Sequence, residues 1–349
     1  MNEQKQEQLS RIVIKGYKSI KDCDLELSNI NVLIGSNGAG KSNFISVFTL
    51  LYHIVMQNLQ RYSKQKGSST LFYNGIKSTN SIILEFEFPK NQYAFELGMS
   101  ENNNLFIYDR SLNSHISKTI GGEYVGYDIF SLPEAQWRVY HFNDTGTTSK
   151  IKTEHNLSHS QVLMWDASNL AAFLYRLREH YETEYQKILK TVQRIAPYFK
   201  DFVLKPEEGN NELIFLRWQE KGCDDIFNPS QLSDGTLRFI CLATLLLQPA
   251  ALQPATIIID EPELGLHPYV ITILAELIKK AAAKKQIIVA TQSVELLDHF
   301  EPEDVIVVDR SENGSEFKRL GTEQLGAWLE DYTLGELWNK NVLGGRISR

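Results

Sequence analysis

Cysteine is scarce in this sequence. Its three cysteines in 349 residues, Cys23, Cys223 and Cys241, are widely spaced and form no metal or disulfide pattern, so a reducing cytoplasm is the expected compartment. Long apolar runs are missing too: the longest, Phe239 to Leu247, is too short to span a bilayer. The N-terminus, Met1-Asn2-Glu3-Gln4-Lys5-Gln6-Glu7-Gln8, is polar and has no apolar signal core. No internal repeat, low-complexity tract or long heptad array occurs, which excludes an extended coiled coil. An excess of positive charge is also lacking. With Lys+Arg at 36 and Asp+Glu at 43 the net charge is −7, which argues against non-specific nucleic-acid binding by the whole surface and leaves room for a local basic patch. What remains, 42% hydrophobic and 23% charged residues, is the composition of a globular protein with one large domain or two lobes. The expectation is a soluble, cytoplasmic protein that does not insert into a membrane and needs a partner to act at one.

What is present is most telling at Gly35-Ser36-Asn37-Gly38-Ala39-Gly40-Lys41-Ser42. This run matches G-x-x-x-x-G-K-[ST] at every fixed position. It follows a strand-like Asn31-Val32-Leu33-Ile34 and opens a helix pattern with Phe44, Ile45, Val47, Phe48, Leu50, Leu51, Ile54 and Val55. Glycines let the backbone wrap a phosphate and turn N–H donors inward, and the helix N-terminus adds its positive dipole end. Lys41 is expected to reach the β- and γ-phosphates of ATP, and Ser42 to supply an oxygen to Mg²⁺. Gly35 through Ser42, with Asn43 beside them, are the candidate nucleotide-binding residues.

The organisation is α/β. Arg11–Ile14 and Asn31–Ile34 read as strands, and the helix after the glycine loop is expected to run to about Arg61. Ser81–Phe88, Tyr93–Gly98, Leu105–Asp109 and Trp137–Phe142 read as strands of a β-rich insertion spanning about residues 70–145, with turn signals at Asn102-Asn103-Asn104 and Gly121-Gly122. Ser168 to Phe199 reads as helical, limited by Pro197, and Leu213–Trp218 as a strand. Thr236–Leu247 and about Val270–Ala283 are helical, while Thr256–Asp260, Ile287–Ala290 and Val305–Asp309 are apolar runs of buried parallel strands. The predicted division is an N-terminal lobe (1–160), a helical segment (161–205) and a C-terminal lobe (206–349).

A buried strand ending in Asp260-Glu261-Pro262 puts carboxylates at the sheet edge where the glycine loop also lies. Asp260 is the expected Mg²⁺ ligand, and Glu261 is placed to take a proton from the attacking water. Upstream, Gln231-Leu232-Ser233-Asp234-Gly235-Thr236 leads into a helix. Alone this reads as an N-cap. Between a P-loop and an apolar-Asp-Glu-Pro strand, it resembles the signature motif of ABC-type ATPases. The β-rich insertion, the Lys15-Gly16-Tyr17-Lys18-Ser19-Ile20 opening and the run Asp260-Glu261-Pro262-Glu263-Leu264-Gly265-Leu266-His267-Pro268 look like the SMC/RecF branch. The chain is similar there to stand-alone bacterial RecF-like AAA-type ATPases and to the ATPase half of OLD nucleases.

That resemblance implies a P-loop ABC-ATPase head: a β-rich lobe, a helical insertion and a mostly parallel sheet with flanking helices. It also implies a homodimer closing around ATP, with Ser233 and Gly235 of one subunit facing the γ-phosphate held by Lys41 of the other. A separate effector, a nuclease or toxin, would be gated in anti-phage defence or DNA repair, with DNA a further candidate ligand. An OLD-type nuclease domain does not fit in the remaining length. The family's switch histidine is replaced by Gln292 in Ile288-Val289-Ala290-Thr291-Gln292-Ser293; glutamine can hydrogen-bond a phosphate and cannot carry a proton. Asn143, then Asp144, are Q-loop candidates for the Mg²⁺ and water contact, against an ordinary turn. His267 reads either as an interface residue or as a turn residue before Pro268. Lys15, Lys18 and Lys21 read as a solvated strand face or as contacts to a base or nucleic acid. His155 and His159 lack the further ligands of a metal set. The aromatic carboxyl end, Trp328 to Trp338, either docks a partner or packs on the chain's own core. A transporter nucleotide-binding subunit is the alternative function, and a small-molecule kinase a third; the large insertion weighs against the former and the signature helix against the latter.

Overall fold

A computed structural model describes residues 8–109, 119–120, 123–124 and 137–345 of the chain. The Gly121-Gly122 turn signal lies outside these residues. The chain opens with β1 (Arg11–Tyr17), β2 (Ile20–Glu26) and β3 (Ile30–Ile34), and α1 (Lys41–Val55) follows the glycine loop. The helix stops short of Arg61 because Gln57 takes a left-handed backbone (φ 54), and α2 (Leu59–Lys66) begins anew. Strands β4 (Ser81–Glu87), β5 (Gln92–Met99) and β6 (Leu105–Asp109) form the expected meander. They extend β1 and β2 into a five-stranded antiparallel sheet of order β2-β1-β4-β5-β6.

A short hairpin, β7 (Thr119–Ile120) and β8 (Glu123–Tyr124), precedes β9 (Trp137–Tyr140). β9 is not part of the β-rich lobe, as its place in sequence suggested; it joins the central sheet described below. After β10 (His155–Asn156) come α3 (Leu170–His180) and α4 (Glu182–Ile195) in place of one continuous helix. Apolar spacing runs on through Tyr181, yet that residue leaves helical geometry (φ −141, ψ 51) without a glycine or proline to announce it. Next come β11 (Phe199–Phe202), β12 (Pro206–Glu207), β13 (Asn210–Ile214), β14 (Trp218–Glu220) and β15 (Ile226–Phe227). They lie in two three-stranded sheets, so the expected strand Leu213–Trp218 is divided between β13 and β14.

The remainder alternates: α5 (Asp234–Leu247), β16 (Thr256–Asp260), α6 (Pro268–Ala282), β17 (Gln286–Thr291), α7 (Val294–Leu297), β18 (Val305–Ser311), β19 (Gly314–Arg319), α8 (Thr322–Asp331) and α9 (Leu334–Asn339). The central sheet has the order β19-β18-β3-β17-β16-β9, parallel throughout except for β19. Its inner strands β3, β16 and β17 and the first half of β18 are apolar without alternation because both faces are covered. Leu33, Ile258, Ile288 and Ile306 share a core with Phe44, Val47 and Phe48 of α1. Val32, Ile257, Ile287 and Val305 point the other way, into a core with Phe173, Ile240 and Leu274 of α3, α5 and α6. Each such buried side chain contributes about 2 kcal/mol. Since β3, β9, β16 and β17 run in one direction, Gly35, His141, Glu261 and Gln292 emerge at one edge.

Candidate functional site

The glycine loop leaves β3 at Gly35 and enters α1 at Lys41. Gly40 carries φ 125, and a Cβ there would fall 2.2 Å from Ser315 Oγ, so both backbone angle and space demand glycine. The Lys41 side chain is buried and donates to the carbonyl oxygens of Gly35 (2.6 Å) and Ser36 (3.1 Å). Burial pushes its ammonium below the ordinary value, while the charges of Glu261, Asp260 and Glu263 oppose that shift. The Ser36 N–H donates to Gly345 O at 3.0 Å, tying the loop to the carboxyl-terminal segment. Asn43 turns from the loop: its Nδ2 donates to Ser19 Oγ at 2.7 Å, in the turn between β1 and β2.

Asp260 ends β16. Its Oδ1 is buried with no hydrogen-bond partner, and burial, aided by the charge of Glu261, pushes its carboxyl up to about 6 against the pull of Lys41 and a Ser42 hydrogen bond. An orphaned buried carboxylate oxygen beside a serine hydroxyl is a donor set suited to a divalent cation such as Mg²⁺. Its Oδ2 lies 3.9 Å from His141 Nδ1. Burial holds that imidazole below its usual value, so at neutral pH it faces Asp260 uncharged and is no ion pair.

Glu261 sits in the left-handed region (φ 48), anchored by its N–H to Ala290 O at 2.8 Å. A non-glycine residue held there costs of order 1 kcal/mol, and the anchoring bonds keep it in place. The Gln292 side-chain amide donates to Glu261 Oε1 at 2.6 Å. Lys41, Ser42, Asp260, Glu261 and Gln292 therefore converge at one sheet edge.

Ser233 and Gly235 are elsewhere. Ser233 is exposed, and its Oγ accepts from Thr236 N at 3.1 Å as the N-cap of α5. A Cβ on Gly235 would meet Gly265 O at 2.6 Å, so only glycine lets this helix start lie against the turn after β16. Asp234 is 3.5 Å from the half-buried Lys152 ammonium. Among the described residues no hydrogen bond or ion pair joins this turn to the glycine loop.

Asn143 is exposed, and its carbonyl accepts from Arg238 Nη2 at 3.2 Å, with Phe142 O accepting from Arg238 Nε at 3.0 Å. The residue of that segment beside Asp260 is His141, which sequence reading passed over. The register explains it: Tyr140 pairs with Ile259, so His141 follows as Asp260 does. Arg238 and Glu263 were also passed over, since their partners are remote in sequence. His267 caps α6, its Nδ1 accepting from Tyr269 N at 3.3 Å. Lys15 and Lys21 are exposed. Lys18 departs from a solvated face: it donates to Ser46 Oγ at 2.8 Å, and burial pushes it down to about 8. His155 Nε2 lies 2.9 Å from Lys150 O. At the carboxyl end Leu334, Leu337 and Trp338 are buried in the chain's own core, while Trp328 is exposed. No helix among the described residues is long and apolar enough to cross a membrane.

Residues 30–298 match the family described as "AAA domain, putative AbiEii toxin, Type IV TA system". The DNA replication and repair protein RecF of Vibrio cholerae serotype O1 is 36% identical over 85 residues, covering 23% of each chain. RecF of Vibrio campbellii is 46% identical over 46 residues, 13% of each. The match thus spans less than a quarter of the length of these curated relatives. Among solved structures, an SMC head bound to the C-winged helix domain of ScpA superposes with a TM-score of 0.64 at 14% identity, over 91% of this chain and 99% of that one. An SMC head from Pyrococcus furiosus with an extended coiled coil, bound to the C-terminal domain of ScpA, gives 0.59 at 13% identity, over 93% and 98%. At such identity the likeness is one of fold.

Proposed function

Since the chain belongs to this AAA-domain family, as an ABC-type ATPase of the SMC/RecF branch, we propose that it hydrolyses ATP to ADP and phosphate in sites shared by two copies. The observation that carries this reading is the convergence of Lys41, Asp260, Glu261 and Gln292 at the carboxyl edge of the central sheet. Lys41 exchanges its loop carbonyls for the β- and γ-phosphates of the substrate. Ser42 and Asp260 would hold Mg²⁺, which when bound would neutralise charge on the phosphates. Glu261 takes a proton from the water that attacks the γ-phosphorus, and the bridging oxygen leaves with ADP. Gln292 keeps that carboxylate aimed and cannot itself take the proton. The neutral His141 lies beside Asp260, and Asn143, exposed two residues on in the same segment, is the candidate for the water contact.

Ser233 and Gly235 complete the site of a second copy. The exposure of Ser233, and the lack of any hydrogen bond or ion pair from this turn to its own glycine loop among the described residues, support this reading. Nucleotide-driven closure would then gate a separate effector, a nuclease or toxin, in anti-phage defence or in DNA repair. Glu261→Gln tests the assignment. The variant binds ATP and accumulates as a closed dimer in size-exclusion chromatography with ATP and Mg²⁺; phosphate release at the wild-type rate would remove Glu261 from its role.

A further inference from the structure

Glu263 lies two residues beyond Glu261, in the turn after β16. Its Oε1 accepts from the Thr291 hydroxyl at 2.5 Å and from the Gln292 N–H at 3.2 Å. Its Oε2 is buried with no hydrogen-bond partner. Thr291 is fully buried, and its hydroxyl oxygen also accepts from Ser293 N at 2.9 Å. On the other side the Glu263 carbonyl accepts from Leu266 N at 2.9 Å, within the turn that lies against Gly235.

A carboxylate with one oxygen unpaired inside a protein is costly, and a neutral side chain of that shape would fill the space more cheaply. A carboxyl oxygen aimed at two donors from the end of β17 fixes that strand end. The two residues it holds are the last of β17 and Gln292, whose side chain in turn holds Glu261. Glu261 itself is bonded through its N–H to Ala290, also on β17. These bonds form a ring, Glu263 to Gln292 to Glu261, between the two turns.

We propose that Glu263 is a positioning residue that fixes the backbone of Gln292, so that the Gln292 amide holds the Glu261 carboxylate where water is deprotonated. The inference rests on the ATP-hydrolysing reading above. It also links the turn at Gly265, which touches the signature helix, to the catalytic edge.

The test compares Glu263→Ala and Glu263→Gln, alone and in a Gln292→Ala background. In nucleotide-free protein, amide hydrogen exchange at Gln292 becomes at least about tenfold faster in Glu263→Ala, because the N–H loses its acceptor. ATP turnover falls about tenfold with KM within about twofold, since the contact acts on the aim of the base and not on binding. Glu263→Gln keeps an acceptor oxygen and retains at least about a third of turnover. In the Gln292→Ala background, Glu263→Ala adds no further loss. Multiplying losses, a raised KM at unchanged kcat, or unaltered exchange at Gln292 would overturn the proposal. If wild-type protein releases no phosphate, the hydrolytic reading fails, while the exchange measurement still decides whether Glu263 fixes Gln292. Should Glu263→Ala fail to fold, Glu263→Met, which fills the space without an acceptor, takes its place: faster exchange at Gln292 with lower turnover than Glu263→Gln supports the ring, and wild-type exchange and turnover in Glu263→Met refute it.

Discussion

The side-chain amide of Gln292 donates to Oε1 of Glu261 across 2.6 Å, joining the end of β17 to the turn after β16. An amide does not titrate, so Gln292 brings no ionisation of its own to this contact.

Replacing Gln292 by alanine frees Glu261. ATP turnover falls about tenfold with little change in KM. Replacing it by histidine adds a titrating group, and at saturating Mg²⁺, which suppresses the contribution of Asp260, turnover acquires an inflection near the ordinary histidine value of about 6.5 that the wild-type protein lacks under the same conditions. Phosphate release between pH 5.5 and 8.5 in the three proteins checks both outcomes; a wild-type inflection at that pH that persists in Gln292→Ala assigns it to another group.

The Asp260 carboxyl, pushed up to about 6 by burial, should make the proposed Mg²⁺ binding acid-sensitive. Below that value a proton competes for the carboxylate, and Mg²⁺ affinity drops about tenfold per pH unit. Stability has the opposite sign. The folded state holds its proton more tightly than the unfolded chain, so in metal-free protein this group's contribution to stability falls as pH rises from about 4 through 6, by at most about 3 kcal/mol. Added Mg²⁺ should therefore raise Tm at pH 7.5 and much less at pH 5, and Asp260→Asn should flatten this dependence.

A shared site is tested by mixing. Ser233→Arg subunits bind ATP and do not close on it; Lys41→Ala subunits lose nucleotide. Each alone is inactive, and an equal mixture recovers about a quarter of wild-type turnover, from one intact site in half of the dimers if the sites act independently. Full activity in either single variant sinks the composite site.

Arg238 is buried and donates to the carbonyls of Phe142 and Asn143, holding the segment after β9 against α5. Arg238→Met leaves both carbonyls short of a donor and should cost about 2–4 kcal/mol in urea unfolding. Lysine cannot reproduce the planar fork and should recover only part of the loss. A change under about 0.5 kcal/mol in the methionine variant would deny this contact its structural weight.

Much of this site was legible in the sequence because it is local. Strand, glycine loop and helix are contiguous from Asn31 to Val55, and Thr256–Asp260 announces a buried strand ending in acid by composition alone. What stayed hidden depends on pairing across long separations. Trp137–Tyr140 reads as one more short strand of the lobe around it, and nothing local says that its neighbour is β16. His141 is invisible as a neighbour of Asp260 until that register is fixed. Glu263 reads as an ordinary acid in a turn until β17 delivers Thr291 and Gln292 to it. The break at Tyr181 escaped for a different reason: apolar periodicity continues through it, and periodicity reports a face, not the continuity of a helix.

The order of strands in the central sheet has a consequence for how the molecule comes into being. β3, which carries the glycine loop, lies between β17 and β18, so both its neighbours are translated some 250 residues after it. A parallel sheet closed by such distant pairings folds slowly, and its apolar middle strand waits with both edges unpaired. The nascent chain therefore carries Ile30–Ile34 as an open, sticky edge through most of synthesis. The glycine loop, held between these strands and bonded through Ser36 N–H to Gly345 O, can take its final shape only after nearly the whole chain has been made.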